Sequence, residues 1–295
     1  RSRGPSEAIR KGAIGFLMRS LGTTRHRVAN TGINRFDEGL EPIPSAALSL
    51  PDADQLARLL ARGPVRVRLA LDCGWTGEQY TSHNVIGEIT GREAPQEVVL
   101  IGAHLDSWDL GTGAVDDASG VAITMAAGHL VGQLPQRPRR TIRVVAFANE
   151  EQGLIGAREY ARRHAGEVAN HVIAAESDFG AGRIYGFNTS APESAQAAVR
   201  EIAAALAPLG IEHLPGRGGP GPDISPLAAI GGAWAWLGQD GSRYFDLHHN
   251  ADDTLDKVDP DDLAQNVAAY AVLSWLAAEA EGGFGSAPRP AGANE

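Results

Sequence analysis

Residues 98–120, VVLIGAHLDSWDLGTGAVDDASG, constrain the fold of this chain more than any other stretch. An apolar run ends at His104 and Asp106, and a glycine-rich loop then leads to Asp116 and Asp117. Aliphatic and β-branched residues bounded by turn formers predict a buried strand, and the following VAITMAAGHLV has helical spacing. The stretch therefore predicts a strand, loop and helix, with ionisable side chains beyond the strand's carboxyl end, where open α/β sheets bind ligands.

The acids of this stretch allow two interpretations. Carboxylates that share a small pocket repel one another strongly, and a divalent cation between them is the usual remedy. Alternatively, Asp116 and Asp117 cap the following helix, because aspartate is a favoured N-cap residue. Cys73 is the only cysteine, so an intrachain disulfide is excluded and any metal must be held by His, Asp and Glu.

Length and charge limit the class of protein. A chain of 295 residues with 43% hydrophobic residues can bury the core of one large α/β domain and a smaller appendage. Its formal net charge of -10 argues against binding to nucleic acid or an anionic membrane, because phosphate contacts need clustered Lys and Arg. Its apolar runs fall short of the ~20 residues that span a bilayer. The chain starts without Met or a signal-peptide core, so we expect that the natural N-terminus has been removed or lies upstream.

Residues 1–75 predict a small and incomplete α/β segment. A helix within 5–18 runs into a short strand, a second strand spans 45–50, and a helix starts at Pro51. The stretch VRVRLALDC, residues 65–73, alternates as a half-buried strand does.

From residue 76 onward, predicted strands alternate with predicted helices, which is typical of a mostly parallel mixed sheet with helices on both faces. Strands are expected at 80–90, 98–105, 141–149, 171–179 and 232–239, and helices at 117–132, 153–165, 192–207 and 260–280. We therefore expect an α/β domain over 76–281. Residues 282–295, mostly Gly, Pro and Ala, predict a disordered tail.

Ionisable side chains also follow three other apolar segments, namely Glu150 with Glu151, Glu176 with Asp178, and His248 with His249. Sites of α/β folds are assembled from several strand ends in this way. Imidazole and carboxylate ligands suit zinc, and two zinc ions that share a carboxylate suit hydrolysis. One of the two adjacent glutamates can bind metal while the other faces the water as a general base. The alternative is that both simply open a helix, where acids favour the dipole.

Four segments in order, HLDSWDLGTGAVDDASG, FANEEQGLIGAREY, ESDFG and YFDLHHNADDTLDKVDP, resemble the zinc-dependent exopeptidase family that includes bacterial leucyl aminopeptidase and plasma glutamate carboxypeptidase. The similarity covers about residues 80–280. It is greatest to the plasma glutamate carboxypeptidase branch, also called carboxypeptidase Q, because IPSAALS and the double histidine before an acidic DT pair recur here. The resemblance implies the zinc exopeptidase (phosphorylase/hydrolase-like) α/β fold, and a protease-associated domain whose closing piece falls in residues 1–75.

Carried over by motif, the resemblance implies two zinc ions, although other divalent metals fit the same ligands. His104 and Asp178 would hold one ion and Glu151 and His249 the other. Asp116 would bridge them.

The same motifs imply roles for two further acids. Glu150 would be the general base, and Asp106 would be the acid that orients His104. The peptide bond between Asp116 and Asp117 would be cis, as is frequent in the family.

The remaining candidates are less strongly constrained. The family's ligand histidine stands four residues before the acid of a D-T or E-T pair, and counting back from Asp253 favours His249, with His248 as a packing residue. Tyr244 could donate to the developing oxyanion or be a buried structural residue. Asp223 could meet a free α-amine of the substrate or cap a local turn.

The resemblance implies hydrolysis of terminal peptide bonds in small unblocked peptides, dipeptides above all, by a water activated between two metals. A small peptide is the expected partner, no nucleic acid or membrane is expected, and a homodimer stays open. The branch implies a secreted or periplasmic location. Two alternatives remain, a single-zinc glutaminyl cyclase on the same scaffold and a non-catalytic binding relative, such as the transferrin receptor, that has lost the ligands.

Overall fold

The computed structural model describes residues 3–74, 76, 77 and 79–285, which form two compact units. The first unit comprises the residues up to 81 with loops 107–113 and 242–254, and the second comprises 82–106, 114–241 and the residues from 255 onward. The junction after residue 81 lies close to the predicted boundary at 75. The two loops, however, come from the predicted catalytic domain and join the first unit.

The secondary structure follows the expected alternation in most places. The described residues contain nine strands: β1 Phe16–Arg19, β2 Ser45–Leu48, β3 Val85–Ile89, β4 Ala94–His104, β5 Arg140–Phe147, β6 His171–Glu176, β7 Ile184–Thr189, β8 Glu212–His213 and β9 Trp234–Gln239. The same residues contain eight α-helices: α1 Gly4–Arg10, α2 Leu50–Leu60, α3 Ser119–Gly132, α4 Ile155–Arg163, α5 Gln196–Leu206, α6 Ser225–Ala229, α7 Tyr244–Leu247 and α8 Pro260–Glu279.

The second unit is built on a seven-stranded sheet of order β3-β5-β4-β6-β9-β7-β8. Strands β5, β4, β6 and β9 are parallel neighbours, whereas β3 pairs with β5, and β7 with β9, in antiparallel fashion. The predicted mostly parallel mixed sheet is therefore confirmed. Antiparallel β7 and the short β8 were not predicted.

Both faces of this sheet carry helices, as predicted. On β4, Val99 and Ile101 point into a core shared with α3, α5 and α8. Val98 and Leu100 alternate with them and pack on the other face with residues of α4 and α6. A strand buried on both sides reads as a continuous apolar run, which is why β4 was recognisable from sequence.

The register brings three strand ends together. His104, the last residue of β4, pairs with Phe147 at the end of β5, and Gly102 pairs with Glu176 at the end of β6. Because these three neighbouring strands are parallel, the residues that follow them emerge at one edge of the sheet.

The first unit contains the parallel pair β1 and β2, followed by α2. Ser49 caps α2 by accepting a hydrogen bond from the Asp52 N–H at 3.3 Å. The strand predicted for residues 65–73 is wrong, since residues 64–74 form no strand and are mostly exposed. Alternation describes only the side chains, whereas a strand also needs a neighbour to accept its backbone hydrogen bonds.

The end of the chain is ordered further than expected. Phe284 has 1% of its surface exposed and packs in the core formed with α8. Order therefore extends past 282, the predicted start of the tail, because burial of an aromatic ring stabilises this turn. The remaining predicted tail, 286–295, lies outside the described residues. Among the helices of the described chain, none combines the length and apolar character needed to cross a membrane.

Candidate metal centre

His104 stands at the end of β4 with 1% of its surface exposed. Its Nδ1 lies 2.9 Å from the backbone carbonyl oxygen of Asp106, and its Nε2 lies 3.2 Å from Asp116 Oδ1 and 3.5 Å from Asp178 Oδ1. A carbonyl oxygen only accepts hydrogen bonds, so Nδ1 carries a proton. Nε2 is therefore the ring nitrogen directed at the carboxylates, as a metal ligand requires.

The structure separates the two adjacent aspartates. Asp116 faces His104, whereas Asp117 accepts hydrogen bonds from the backbone N–H of His104 at 3.2 Å and of Gly120 at 3.1 Å. Asp117 thus satisfies a backbone N–H in the first turn of α3, while the Asp116 carboxylate lies against the His104 ring. The peptide bond between them is cis, as the resemblance implied.

Gly120 allows this packing of the first turn of α3. A Cβ atom at Gly120 would collide with the Ser177 carbonyl oxygen and the Asp117 carboxylate. We expect Gly120→Ala to destabilise the fold by about 1–3 kcal/mol or more, because the clash is with backbone that cannot rotate away. At Gly132, on the same helix, the nearest atom would be 3.7 Å away. Gly132→Ala is the matched control and should leave the urea unfolding midpoint unchanged or raise it.

Asp106 acts differently from the expected orienting acid. Its carboxylate accepts hydrogen bonds from the backbone N–H groups of Glu150 at 2.9 Å and Glu151 at 3.2 Å. Its nearest carboxylate oxygen is 3.8 Å from His104 Nδ1, beyond hydrogen-bond distance. The backbone carbonyl of Asp106 orients His104 instead, and its carboxylate fixes the turn that carries both glutamates.

Glu150 and Glu151 lie in the turn between β5 and α4. Helix α4 begins only at Ile155, so the two glutamates do not open it. On a turning backbone, neighbouring side chains diverge, and the division of roles between the two glutamates stays a prediction.

The donor atoms form two overlapping groups in the second unit. One donor atom from each of His104, Asp116 and Glu151 lies within 4.8 Å of the others, and the same holds for His104, Asp117 and Asp178. An imidazole nitrogen with carboxylate oxygens and no thiolate fits zinc and similar divalent ions.

The electrostatics of the protein's own groups also fit a divalent cation at this place. Burial, helped by the negative charge of Asp178, raises the pKa of Glu150 to about 7. Burial likewise raises the pKa of Asp178 to about 6. Burial lowers the pKa of His104, but its hydrogen bonds with Asp116 and Asp178 outweigh this and raise it overall. These groups keep their protons because burial and the neighbouring carboxylates disfavour further negative charge. A bound metal ion would supply positive charge in place of the protons.

Asp223 and Glu176 form a second buried pair of acids. Glu176 Oε2 accepts hydrogen bonds from the N–H groups of Asp223 at 2.8 Å and Ile224 at 3.2 Å. Asp223 is 2% exposed, and neither of its carboxylate oxygens has a hydrogen-bond partner among the described residues. Burial raises the pKa of Asp223 to about 8. Its assignment to a substrate amine stays a prediction.

His249 and Tyr244 belong to the first unit. His249 Nδ1 lies 3.3 Å from the Thr31 carbonyl oxygen, and the His249 ring lies 5.8 Å from that of Trp108. Tyr244 is 7% exposed, with its ring 4.9 Å from that of His248. The roles of His249 and Tyr244 stay predictions from the sequence.

A cavity of about 400 Å³ in the second unit adjoins Asp178. Its walls are mainly aromatic and aliphatic, with contributions from Phe179, Tyr185, Pro220, Trp236 and Leu237. Pro220 belongs to the glycine- and proline-rich loop 216–227, where the resemblance places a substrate-pocket loop, whereas Tyr185, Trp236 and Leu237 were not singled out from the sequence. Trp236 alternates with buried Ala235 and Leu237 along β9. That alternation could have marked it as a side chain on the open face of the strand.

Fold and donor set together define an α/β protein with a candidate metal centre at the carboxyl edge of its sheet, and comparison with known proteins identifies its family. The model of Peptidase family M28 matches residues 84–274. The crystal structure of a Peptidase M28 precursor from Shewanella amazonensis SB2B superposes with a TM-score of 0.90 at 46% identity, covering 98% of this chain and 65% of that one. The chain therefore belongs to Peptidase family M28.

Two further comparisons concern the sequence and the fold. Carboxypeptidase Q from Pongo abelii is 36% identical over 282 residues, which cover 95% of this chain and 59% of the relative. BSAP, a zinc aminopeptidase from Bacillus subtilis, shares the fold with a TM-score of 0.64 at 17% identity, covering 96% of this chain and 69% of that one. The chain thus spans about 59% of the length of the carboxypeptidase Q relative.

Proposed function

We propose that this chain carries the catalytic machinery of a zinc-dependent exopeptidase that hydrolyses terminal peptide bonds of small unblocked peptides, dipeptides above all. A secreted or periplasmic location is proposed on the same family grounds. One observation supports the activity most directly. His104, Asp116, Glu151 and Asp178 direct nitrogen and oxygen donors to the carboxyl ends of three neighbouring parallel strands.

The proposed ligand roles follow these positions. His104 and Asp178 would hold one zinc and Glu151 the second, for which the sequence motif adds His249, and Asp116 would be shared by both. Bound zinc would polarise the scissile carbonyl and lower the pKa of the attacking water.

Glu150 is proposed to accept the proton of the attacking water and return it to the leaving amine. A pKa near 7 supports this role, because a general base works best when its pKa is close to the operating pH. The Asp106 carboxylate holds the backbone of Glu150 and Glu151, so both acids keep their places while the proton moves.

The test is to load the chain with zinc, count bound zinc, and assay unblocked dipeptides, N-acetylated dipeptides and an N-terminal glutaminyl peptide. About two zinc ions per chain, with cleavage of free dipeptides, is the expected result. One zinc with cyclisation of the glutaminyl peptide would favour a glutaminyl cyclase instead. A chain that takes up no zinc and cleaves nothing would be a binding relative.

The cavity beside Asp178 supports a preference for large apolar side chains next to the scissile bond. Burial of an apolar substrate side chain against its aromatic and aliphatic walls lowers the free energy of binding. Its lining includes the carboxyl groups of Glu176 and Asp178, and no Lys, Arg or His is among the described residues that line it. An anionic substrate side chain would therefore enter without a counter-charge.

Two variants test this preference in opposite ways. A side chain added at Gly219 would meet no atom within 4 Å, so Gly219→Leu should fill the cavity. Trp236→Ala should enlarge it and remove an apolar wall. In both we expect the kcat/KM ratio of phenylalanine-containing to alanine-containing dipeptides to fall about 10- to 100-fold. The alanine dipeptide is the internal control for folding and metal content, and an unchanged ratio in both variants would refute the preference.

A further inference from the structure

His249 is held by a segment more than two hundred residues away in sequence. The N–H of Thr31 donates to the His249 carbonyl oxygen at 2.8 Å. In return, His249 Nδ1 donates to the Thr31 carbonyl oxygen at 3.3 Å. Two hydrogen bonds between the same two residues fix both the backbone and the ring of His249.

The arrangement repeats that of His104. In both histidines Nδ1 faces a backbone carbonyl oxygen, Asp106 for His104 and Thr31 for His249. A carbonyl oxygen only accepts, so the proton stays on Nδ1, and Nε2 is the ring nitrogen that carries the lone pair. Such outer partners fix the tautomer and orientation of ligand histidines.

The backbone at His249 needs this support. Its φ of 58° lies in the left-handed region, which residues with a Cβ adopt infrequently. A residue in this region persists where surrounding contacts determine its conformation.

Asn30 supplies those contacts. It is 2% exposed, and its Oδ1 accepts a hydrogen bond from the Leu21 N–H at 3.0 Å. Its Nδ2 donates to the carbonyl oxygens of His248 and Phe245. One buried amide therefore ties the loop of residues 20–31 to the backbone that leads into His249.

A second attachment lies at the start of the same loop. The N–H of Thr24 donates to Asp246 Oδ1 at 2.9 Å, and Thr23 Oγ1 donates to Asp246 Oδ2 at 3.0 Å. Gly22 has a φ of +89°, and a Cβ there would overlap the Asp246 carboxylate and the Phe245 carbonyl. The close approach of the loop to α7 thus depends on a glycine at this position.

We propose that residues 20–31 are a positioning loop for the metal ligand His249, with Asn30 as its anchor and the Thr31 carbonyl as the partner of Nδ1. The loop lies outside residues 84–274, the stretch that the family model matches. This inference rests on the proposed function, because it requires His249 to bind zinc.

The experiment compares zinc binding by the full chain and by four variants: Asn30→Ala, Asn30→Asp, Asn188→Ala and His249→Ala. Aspartate at position 30 keeps the shape and the acceptor for Leu21 but cannot donate to the two carbonyls. Asn188 is the matched control, since it is also buried, at 7% exposure, and bridges segments by donating to the Arg217 carbonyl at 2.7 Å. Competition with a chromophoric chelator gives the affinity of each zinc, and the absorption spectrum of the cobalt-loaded chain reports ligand geometry.

We expect both Asn30 variants to bind one zinc about 10- to 100-fold more weakly, with the other unchanged and an altered cobalt spectrum. Asn188→Ala should retain both affinities. Wild-type affinities in both Asn30 variants, while His249→Ala loses one zinc, would overturn the positioning role alone. Equal weakening of both zinc ions in the Asn30 variants would overturn it too, since the effect would then be general. If His249→Ala keeps both zinc ions at full affinity, the ligand assignment in the proposed function fails, and the inference with it.

Discussion

Glutamine in place of Glu150 is expected to lower kcat for dipeptide hydrolysis by about 10²- to 10⁴-fold, the usual contribution of a general base. Burial raises the pKa of the Glu150 carboxylate to about 7, so this group can take up a proton at neutral pH. Glutamine has the same shape but cannot accept the proton. The Asp106 hydrogen bond goes to the backbone N–H of residue 150, so it survives the substitution.

Zinc content decides how this result is interpreted. Glu150→Gln should bind as much zinc as the unchanged chain, since Glu150 is not a proposed ligand, whereas Glu151→Gln should lose zinc together with activity. Glu193→Gln, at an exposed position in a short helical turn and not a proposed ligand, is the neutral control. Turnover by Glu150→Gln at close to the original rate would show that another group removes the proton.

The metal-free chain is expected to become less stable as the pH rises from about 5 to 8, and zinc should reverse the trend. In the folded, metal-free protein the pKa values of Asp178, Glu150 and Asp223 are raised to about 6, 7 and 8, chiefly by burial. In the unfolded chain these acids titrate near pH 4. The folded state therefore retains protons that the unfolded state has released. That contribution to stability is complete below about pH 4 and is lost as the pH passes through the folded values.

Zinc binding has the opposite pH dependence, because its ligands bind the metal in their deprotonated forms. At a free zinc concentration a thousand times Kd, binding to the folded state alone should add about 4 kcal/mol. Urea unfolding at pH 5 and pH 8, with zinc and with a chelator, measures both trends. Asp223→Asn is the matched control, since it removes one of the three acids but no proposed ligand, and should reduce the pH slope of the metal-free chain. A metal-free chain that is as stable at pH 8 as at pH 5 would contradict the interpretation.

Local patterns were sufficient for the elements that carry the centre. The apolar run before His104 gave β4, and turn residues followed by helical spacing gave α3, because both patterns reflect burial over a few adjacent residues. The adjacent glutamates were expected beyond the end of β5, and they lie there. Where local pattern misled, as at residues 65–73, no neighbouring strand satisfied the backbone.

The sequence by itself therefore determined which ionisable side chains follow which strands, and its motifs assigned them to one family. Only the tertiary structure decided which groups each of them contacts. The carboxylates of Asp117 and Asp106 accept hydrogen bonds from backbone N–H groups, and the Thr31 N–H donates to the backbone carbonyl of His249. Every residue except proline offers the same backbone N–H and C=O, so these contacts leave no mark in the sequence and follow only from how the folded segments meet.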